Sequence, residues 1–425
     1  MRLVYLANSR IPSGAANSIH VMRMCNAFAQ IGHDVHLISP LQTTRSSGVF
    51  DVFSHYGVPN SFRIHHPSPV SLGVGKKRLY AAQMVQAAAT LMPDLVYARS
   101  LPAALIAAAQ GLPVCYELHH LPEQDHLLVA PVKRLRVYIE ALRRKHWLGD
   151  QRLLELSQIG ALDDPRLMFK RLVSSSNLVC AVTISHALKR AVLARYPELE
   201  RRILVAPDGA DPSPKDIPTT TLQGPQQKLT VGYTGQLYPG KGIELIANLA
   251  KMCPWATFHI IGGNGRELSY WRKKLRNDRN VYLYGSVPPK DVKGYIRAVD
   301  VCLLPNQRQM YAHSHKRRSG AEIGEFTSPL KLFEYMAEGK AIIASDLSVI
   351  KEILINNRNA LIRPPDDTKQ WSRALCLLKD DMNLRKSLGH NAKVDFENNY
   401  TWENRARLIL EPCTQNLSRY CDVKE

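Results

Sequence analysis

The stretch SPLKLFEYMAEGKAIIASD, residues 328–346, holds a short helix pattern, a glycine and then a run of apolar residues. Ser328 suits the N-cap and Pro329 suits the first helical position, while Gly339 suits the residue that follows a helix end. The pattern therefore predicts a helix of about ten residues followed by a buried strand.

The side chains of this helix divide into two groups. Three apolar residues are spaced to face a core, namely Leu330, Phe333 and Ala337. Lys331, Glu334 and Glu338 share the other side, and spacing alone favours a Lys331–Glu334 pair on a solvated face. The helix start offers unpaired amides and the positive dipole end, which suit an anion. A carboxylate one or two turns further along can accept hydrogen bonds from ribose hydroxyls.

The same alternation of apolar strands and helix patterns runs along the whole chain. In the N-terminal half, the strand patterns are residues 3–7, 35–39, 94–98, 112–118 and 177–185. In the C-terminal half, they are residues 228–235, 256–263, 280–286, 300–305 and 341–345. Strands that alternate with helices in this way predict the α/β class, with parallel sheets covered on both faces.

A change of composition divides the chain. At 425 residues it is too long for one compact core, and residues 205–227 are rich in proline, glycine, threonine and glutamine. We therefore expect a first domain at residues 1–205 and a second domain at residues 206–395. Residues 396–425 are expected to form a helical tail that can cross back to the first domain.

The formal charge of +19 favours partners that carry phosphate: nucleic acid, an anionic membrane or a phosphorylated small molecule. The cysteines form no metal-binding spacing, which is typical of a reducing compartment. The N-terminus holds no signal-peptide pattern, and the longest uncharged stretch, residues 100–116, is broken by proline and glycine. We therefore expect a cytoplasmic protein, with a place on the inner face of a membrane left open.

An insertion is predicted at residues 131–172, between two of the N-terminal strand patterns. Its segment VKRLRVYIEALRRKHWL, residues 132–148, interleaves lysine and arginine with apolar side chains and a tryptophan. A basic amphipathic helix of this kind binds anionic membrane interfaces. A solvated basic face that packs on its own domain explains the pattern equally well.

A glycine-rich loop follows the first strand of the C-terminal half. In YTGQLYPGKGIELI, residues 233–246, Lys241 stands between Gly240 and Gly242 at the start of a helix pattern. Glycines allow the backbone to approach a phosphate, and the lysine adds positive charge. A plain strand-to-helix turn with a solvated lysine is the alternative.

Taken together, these motifs resemble a known family. GQLYPGKG (235–242), IIGGNG (260–265), residues 280–305 and the stretch 328–346 resemble the donor domain of a retaining GT-B glycosyltransferase of family 4. In the N-terminal half, residues 13–39, CYELHH (115–120), VTISHALKR (182–190) and VAPDGAD (205–211) resemble further landmarks of that family in the expected order. The resemblance implies two Rossmann-like, doubly wound domains that face each other across a cleft.

The resemblance also implies roles for individual residues. Lys241 would contact the donor diphosphate, Glu334 the ribose hydroxyls, and His119 rather than His120 would lie beside the transferred sugar. Gly14 would bring backbone of the first domain to the diphosphate, and the amides after Thr327 would face the sugar. The other donor-binding positions that it implies are Gly235, Gln236, Gly263, Val287, Ser328, Pro329 and Leu330.

Two positions depart from the family pattern. Gln236 stands where members usually carry an arginine beside the glycine, and Phe326 stands where many carry a glutamate. A basic residue of the loop at 313–327, such as Arg317, would then supply the missing charge. Glu325 lies one residue out of register with the missing glutamate and is a candidate for its role.

The activity implied is transfer of a sugar, with retention, from a nucleotide diphosphate sugar to a hydroxyl of a glycan or lipid-linked acceptor, as in polysaccharide biosynthesis. No Asp-x-Asp stretch occurs, so neither a metal nor a further cofactor is expected. A nucleotide-sugar hydrolase or epimerase of the same fold is one alternative. A non-catalytic basic protein that binds membrane or nucleic acid is another, although no RNP-like or zinc spacing for nucleic acid is present.

Overall fold

A computed structural model describes residues 1–40, 51–67, 76–122, 164–214, 218–225, 228–310 and 324–422. Within these residues the strands form two separate sheets, and neighbouring strands in both sheets run parallel. The α/β class with two doubly wound, Rossmann-like sheets is therefore confirmed.

The first sheet has seven strands in the order β3-β2-β1-β4-β5-β6-β7. Its strands are Arg2–Leu6 (β1), Asp34–Ile38 (β2), Arg63–His65 (β3), Leu95–Ala98 (β4), Val114–Leu118 (β5), Leu178–Thr183 (β6) and Ile203–Val205 (β7). The helices of this half are Ala16–Gln30 (α1), Val52–Tyr56 (α2), Lys76–Thr90 (α3), Leu101–Ala109 (α4), Pro165–Val173 (α5) and His186–Leu193 (α6). The strand order reverses between β1 and β4, which opens a crevice at the carboxyl ends of these strands.

The second sheet has six strands in the order β10-β9-β8-β11-β12-β13. Its strands are Leu229–Thr234 (β8), Ala256–Ile261 (β9), Val281–Gly285 (β10), Val301–Leu304 (β11), Ala341–Ser345 (β12) and Leu361–Arg363 (β13). Its helices are Ile243–Met252 (α7), Gly265–Lys274 (α8), Val292–Ala298 (α9), Leu330–Ala337 (α10) and Thr368–Asp380 (α11). Here the strand order reverses between β8 and β11, so the loop after β8 borders the second crevice.

The strands are apolar along their whole length because both faces of each sheet are covered. In β1, Leu3 and Tyr5 join one buried cluster, while Val4 and Leu6 join the cluster on the opposite face. Two further clusters cover the faces of the second sheet in the same way. The alternation follows from the two-residue period of a strand.

Two long helices, Met382–Asn399 (α12) and Trp402–Asp422 (α13), end the described chain. Helix α12 packs on α10 of the second domain, whereas α13 packs on α1 and β6 of the first domain. The predicted start of the tail at residue 396 therefore falls inside α12, and the chain leaves the second domain only after Asn399. Among the described helices, none combines the length and the apolar composition that crossing a bilayer requires.

The predicted insertion at residues 131–172 is described only at its C-terminal end. Its basic segment lies outside the described residues. Helix α5, by contrast, belongs to the core of the first domain, since Phe169 and Leu172 are fully buried and α5 packs on α4. Asp164 caps this helix through the amide of Arg166, so residues 164–172, which were predicted as the end of the insertion, belong to the first domain.

The two domains touch at several points around the crevices. Phe326 of the second half is buried in a core cluster of the first domain, and Leu330 packs against another. The Ser185 hydroxyl donates a hydrogen bond to the Phe326 carbonyl at 3.3 Å. The Glu352 carboxylate accepts hydrogen bonds from the first amides of α6, each at 2.8 Å, and thereby fastens α6 to the second domain.

Candidate active site

Helix α10 begins one residue later than the sequence predicted. Pro329 is its N-cap, and Ser328 does not cap it, because the Ser328 hydroxyl accepts a hydrogen bond from the Asp208 amide at 2.9 Å. Within the part of the chain that the structure describes, no side chain caps the first amides of α10. Gly339 ends the helix with φ of 62°, as expected of a C-terminal glycine. Ser328 thus ties α10 to the segment that links the two domains.

Glu338 does not face solvent, although the helix pattern predicted that it would. Its side chain is 2% exposed and forms an ion pair with Arg297 at 2.8 Å. The Ser213 hydroxyl donates a further hydrogen bond to the same carboxylate oxygen at 2.7 Å. The expectation was wrong because the linker between the domains folds over this part of α10 and buries it.

Lys331 is also turned away from solvent, and it forms no ion pair with Glu334. Its ammonium lies over the ring of Tyr233, 3.7 Å from the ring centroid. Burial lowers the pKa of Lys331 well below its ordinary value, and the charge of Lys241 lowers it further. The simple pairing that the spacing favoured is therefore absent.

Glu334 lines a cavity of about 40 Å³ between the two domains, together with Arg23, Asp211 and Lys293. Among the described residues we find no hydrogen-bond donor to its carboxylate. Burial raises the pKa of Glu334, and the positive charges of Lys293 and Arg23 offset this effect in part. Glu334 is therefore a carboxylate at the domain interface that is free to accept hydrogen bonds from a ligand.

Lys241 follows the glycine loop after β8, and its ammonium contacts the Met310 sulfur at 3.1 Å. Burial lowers the pKa of Lys241 to about 8. Gly242 adopts φ of 83° as the N-cap of α7, where a Cβ would lie 2.0 Å from the Pro305 carbonyl oxygen. Only glycine fits this turn, which fixes the position of the lysine beside it.

Gly235 and Gly262 bring two loops of the second sheet into backbone contact. A Cβ on Gly262 would lie 2.2 Å from the Gly235 carbonyl oxygen, and the two glycines have φ of 119° and 129°. The neighbouring Gly263, with φ of 78°, packs against Leu237. The side-chain oxygen of Gln236 is buried and has no hydrogen-bond partner among the described residues. These glycines allow the loops after β8 and β9 to pack backbone against backbone at this edge of the sheet.

The other predicted donor-binding residues are all at least partly exposed. Thr327, Pro329, Leu330 and Val287 are half-buried, and the first two line a small cavity beside Ser185. Gly14 is exposed in the loop before α1, with open space where a Cβ would stand.

Two residues, Glu325 and Arg317, were predicted to replace the charged groups that this chain lacks relative to the family pattern. Glu325 is exposed, whereas Phe326 beside it is buried against the first domain. Phe326 therefore anchors the interface at the position where the sequence pattern lacked a carboxylate. Arg317 lies outside the described residues.

His119 follows β5 at the carboxyl edge of the first sheet. Its Nε2 lies 2.5 Å from a carboxylate oxygen of Glu117, and its ring contacts the His20 ring edge-on. Burial, with the nearby charge of Arg99, lowers the pKa of His119 to about 4. The ring is therefore neutral near pH 7. Because a carboxylate can only accept, the proton lies on Nε2 and the Nδ1 lone pair is available.

Glu117 is the centre of a buried charge network that the sequence did not predict. Its carboxylate is fully buried and lies 3.2 Å from the guanidinium of Arg405 and 3.1 Å from Nε2 of His20. The other ring nitrogen of His20 lies 2.9 Å from Asp208. Burial would raise the pKa of Glu117, but Arg405, His20, His119 and Arg99 together hold it well below its ordinary value. The network fixes the position of His119.

Two groups of described side chains have the geometry to hold a metal ion. In one, single ligand atoms of His20, Glu117 and His119 lie within 4.8 Å of one another. In the other, the same holds for three buried cysteines, which are Cys115, Cys180 and Cys413. The first group already has ionic partners in Arg405 and Asp208, which satisfy its charges without an ion.

Sequence reasoning missed Lys331 and Arg405 as parts of this region. A lysine on the polar side of a short helix gives no signal that it is buried. Arg405 lies in the tail, where no motif marked it. One signal was present for Asp208, since it belongs to VAPDGAD, a landmark of the family resemblance.

Two family models match the chain on either side of the linker. The model described as Glycosyltransferase Family 4 matches residues 18–214, and the model described as Glycosyl transferases group 1 matches residues 221–395. The chain thus belongs to the family 4 glycosyltransferases with a GT-B fold, as the resemblance implied.

Among curated relatives, an uncharacterized glycosyltransferase of Methanocaldococcus jannaschii is 26% identical over 43% of this chain and 44% of its own length. A D-inositol 3-phosphate glycosyltransferase of Corynebacterium kroppenstedtii is 21% identical over 44% of this chain and 40% of its own length. The chain thus spans less than half the length of these relatives.

Solved structures match over nearly the whole fold. Sucrose-phosphate synthase from Thermosynechococcus elongatus has a TM-score of 0.66 at 15% identity and covers 100% of both chains. Anabaena HepE in complex with UDP-glucose has a TM-score of 0.62 at 16% identity, over 98% of this chain and 100% of its own. These similarities establish the GT-B fold.

Proposed function

We propose that this protein transfers a sugar, with retention of configuration and without a metal ion, from a nucleotide diphosphate sugar to a hydroxyl of a glycan or lipid-linked acceptor. The observation that carries the proposal is a carboxylate at the domain interface, Glu334, together with the ammonium of Lys241 in the loop after β8. Both charges are close enough to Lys331 to shift its pKa: Lys241 lowers the pKa and Glu334 raises it. A site for a nucleotide diphosphate sugar needs a hydrogen-bond acceptor for the hydroxyl groups and a cation for the phosphates.

Glu334 and Lys241 bind different parts of the donor. Glu334 accepts hydrogen bonds from the ribose hydroxyls, because no protein donor among the described residues occupies its oxygens. Lys241 pairs with the diphosphate. When the glycosidic bond breaks, negative charge builds on the departing diphosphate, and Lys241 with the uncapped amides of α10 stabilises that charge.

His119 orients the sugar and does not act as the general base. A base with a pKa of about 4 is a weak proton acceptor near pH 7. The free Nδ1 lone pair of the neutral ring instead accepts a hydrogen bond from a sugar hydroxyl. The proton of the attacking acceptor hydroxyl passes to the departing phosphate, on the face from which the diphosphate leaves.

The solved structure of Anabaena HepE with UDP-glucose supports a nucleotide-sugar donor, since that protein shares the fold. The acceptor proposal rests on charge. A formal charge of +19 favours a protein that works at an anionic surface, such as the inner face of a membrane that carries a lipid-linked acceptor. Flotation with anionic vesicles, using a variant with Arg143, Arg144 and Lys145 changed to glutamate, tests this proposal. Unchanged binding of the variant would remove the basic insertion as the anchor.

The proposed transfer is tested by following nucleoside diphosphate release from UDP, GDP and ADP sugars, with and without a pool of glycan and lipid-linked acceptors. We expect release that depends on the acceptor, continues in EDTA and gives a product with the donor's anomeric configuration by NMR. Rapid release without any acceptor would instead identify a hydrolase or epimerase of the same fold. Tight, steeply salt-dependent binding to nucleic acid without any release would favour a binding protein.

A further inference from the structure

Lys331 is a buried cation without a hydrogen-bond acceptor among the described residues. Its ammonium is fully shielded from solvent, and its closest favourable contact is the ring of Tyr233, 3.7 Å away at the centroid. A cation over an aromatic ring gains only about 0.5–2 kcal/mol. Removing an ammonium from water costs several kcal/mol. An unpaired ammonium in this place therefore costs stability, in agreement with the lowered pKa of Lys331.

The ammonium of Lys331 lies directly against the glycine loop after β8. A Cβ built on Gly235 would stand 2.9 Å from the lysine nitrogen. Gly235 is half-buried, with φ of 129°, so its backbone is accessible at the edge of the second crevice. Helix α10 thus carries a positive charge to the loop that holds Lys241.

A second cation shares this location. The charge of Lys241 acts on Lys331, and both residues are half-buried. Met310 is the only described partner of the Lys241 ammonium, through a thioether sulfur that accepts weakly. The Glu334 carboxylate, one turn along α10, forms no ion pair with Lys331. Two ammonium groups that repel each other, neither of them paired with a carboxylate among the described residues, leave a site that an anion of two charges would complete.

We propose that Lys331 is the second cation of the diphosphate site and binds the donor phosphates together with Lys241. This inference rests on the proposed function, because it takes the ligand to be a nucleoside diphosphate. It also makes Lys331 the source of the positive charge that the arginine of the family pattern would supply, where this chain has Gln236. The ammonium of Lys331 reaches the glycine loop from α10, so no basic residue of the loop at 313–327 is required.

The proposed role of Lys331 predicts opposite effects of its removal on the stability of the free protein and on diphosphate binding. If Lys331 were a structural residue, its removal would lower the stability of the free protein. If the ammonium of Lys331 is unpaired until an anion binds, replacing the lysine with an apolar side chain of similar length removes an unpaired buried charge and raises the melting temperature. The same replacement weakens binding of the diphosphate.

The experiment compares wild type, Lys331→Met, Lys331→Arg and the control Lys340→Met by thermal unfolding and by calorimetric titration with UDP, GDP, ADP and UMP. Lys340 is a suitable control because it is also partly buried on the second domain, yet it donates to the Arg297 carbonyl at 2.7 Å. We expect Lys331→Met to bind the preferred nucleoside diphosphate at least tenfold more weakly, and UMP within about twofold of wild type. Lys331→Arg should bind within about threefold of wild type.

A rescue variant adds a readout that a structural role would not move. In the Lys331→Met background, Gln236→Arg should return diphosphate affinity to within about threefold of wild type, because the charge enters the same site from the loop. Unchanged diphosphate affinity in a folded Lys331→Met protein would overturn the inference, as would a lower melting temperature combined with failure of the rescue. Should wild type itself bind no nucleoside diphosphate, the proposed function fails instead, and the two failures are distinct.

Discussion

The carboxylate of Glu117, in the fifth strand of the first domain, lies 3.2 Å from the guanidinium of Arg405 in the last helix, and both side chains are almost fully buried. The main chain reaches Arg405 only after it has built the whole second domain. The Arg405 guanidinium also donates to the Pro207 carbonyl in the linker, at 2.9 Å. One arginine therefore joins the last helix, the interdomain linker and the strand that positions His119.

We predict that Arg405→Met destabilises the first domain by about 3–5 kcal/mol, because it leaves the buried Glu117 carboxylate without its main cation. Urea denaturation measures the effect. Arg407→Met is the matched control on the same helix, since Arg407 forms an exposed pair with Glu403, and it should cost less than about 1 kcal/mol. Equal losses in the two variants would contradict the importance of the buried pair.

The same network predicts acid sensitivity. The pKa of Glu117 is held well below its ordinary value, so its contribution to stability is complete above about pH 4.3, the unfolded value, and is lost as the pH falls through the folded value. His119 adds to the effect, because its pKa of about 4 in the folded protein lies below that of an unfolded histidine. We expect stability to fall between about pH 6.5 and pH 4 and further below, and Glu117→Gln to weaken the dependence below about pH 4.3, where the Glu117 carboxylate contributes. A flat profile of the wild type over this range would be inconsistent with the network.

Glu338→Ala is predicted to lower the free energy of unfolding of the second domain by about 3 kcal/mol, since it leaves Arg297 without its carboxylate in a largely buried place. Asp346→Ala is the control, because the Asp346–Lys351 pair is half-exposed and should contribute less than about 1 kcal/mol. Chemical denaturation of both variants decides the matter. A neutral Glu338→Ala would mean that the charge is solvated, as the helix pattern alone suggested.

Gly262→Ala is predicted to damage the donor site more than the fold. A Cβ would stand 2.2 Å from the Gly235 carbonyl oxygen, so the loop after β8 must move. We expect a stability cost of about 1–3 kcal/mol and a loss of nucleoside diphosphate affinity of at least tenfold. Gly265→Ala serves as the control: φ of 52° gives it backbone strain too, but its Cβ meets open space, so it should keep its affinity. Equal affinities of the two variants would show that the contact between Gly262 and Gly235 does not affect nucleoside diphosphate binding.

Donor binding should weaken at high pH. Burial sets the pKa of Lys241 at about 8, so its ammonium loses its proton as the pH rises through that value, and the pKa of Lys331 is lowered as well. We expect nucleoside diphosphate affinity to fall by roughly tenfold or more per pH unit above about pH 8, with proton uptake on binding. Calorimetry in buffers of different ionisation enthalpy measures both quantities. Lys241→Arg should reduce the slope, and affinity that stays constant to pH 9.5 would argue against cationic lysines in the site.

Much of the fold was predictable, because parallel strands that are buried on both faces and separated by helices leave a strong pattern. The glycine loop with Lys241 was predictable for the same local reason. The sequence could not show that Glu338 and Lys331 are buried, since burial of a polar helix face depends on which distant segment covers it. The role of Arg405 could not be predicted for a related reason: its partner, Glu117, lies in a strand that is far from Arg405 in the sequence. Phe326 marked a departure from the family pattern, but only the structure explains it as an interface anchor.

The assignment of Glu334 as the ribose ligand is the central claim, and ligand-observed NMR tests it most directly. Saturation-transfer spectra of UDP, GDP and ADP sugars are recorded with wild type, Glu334→Ala and the control Glu325→Ala, whose side chain is exposed. We predict that one donor binds wild type and Glu325→Ala alike, and that its ribose signals are lost with Glu334→Ala. Donor binding by Glu334→Ala equal to that of wild type would contradict the account.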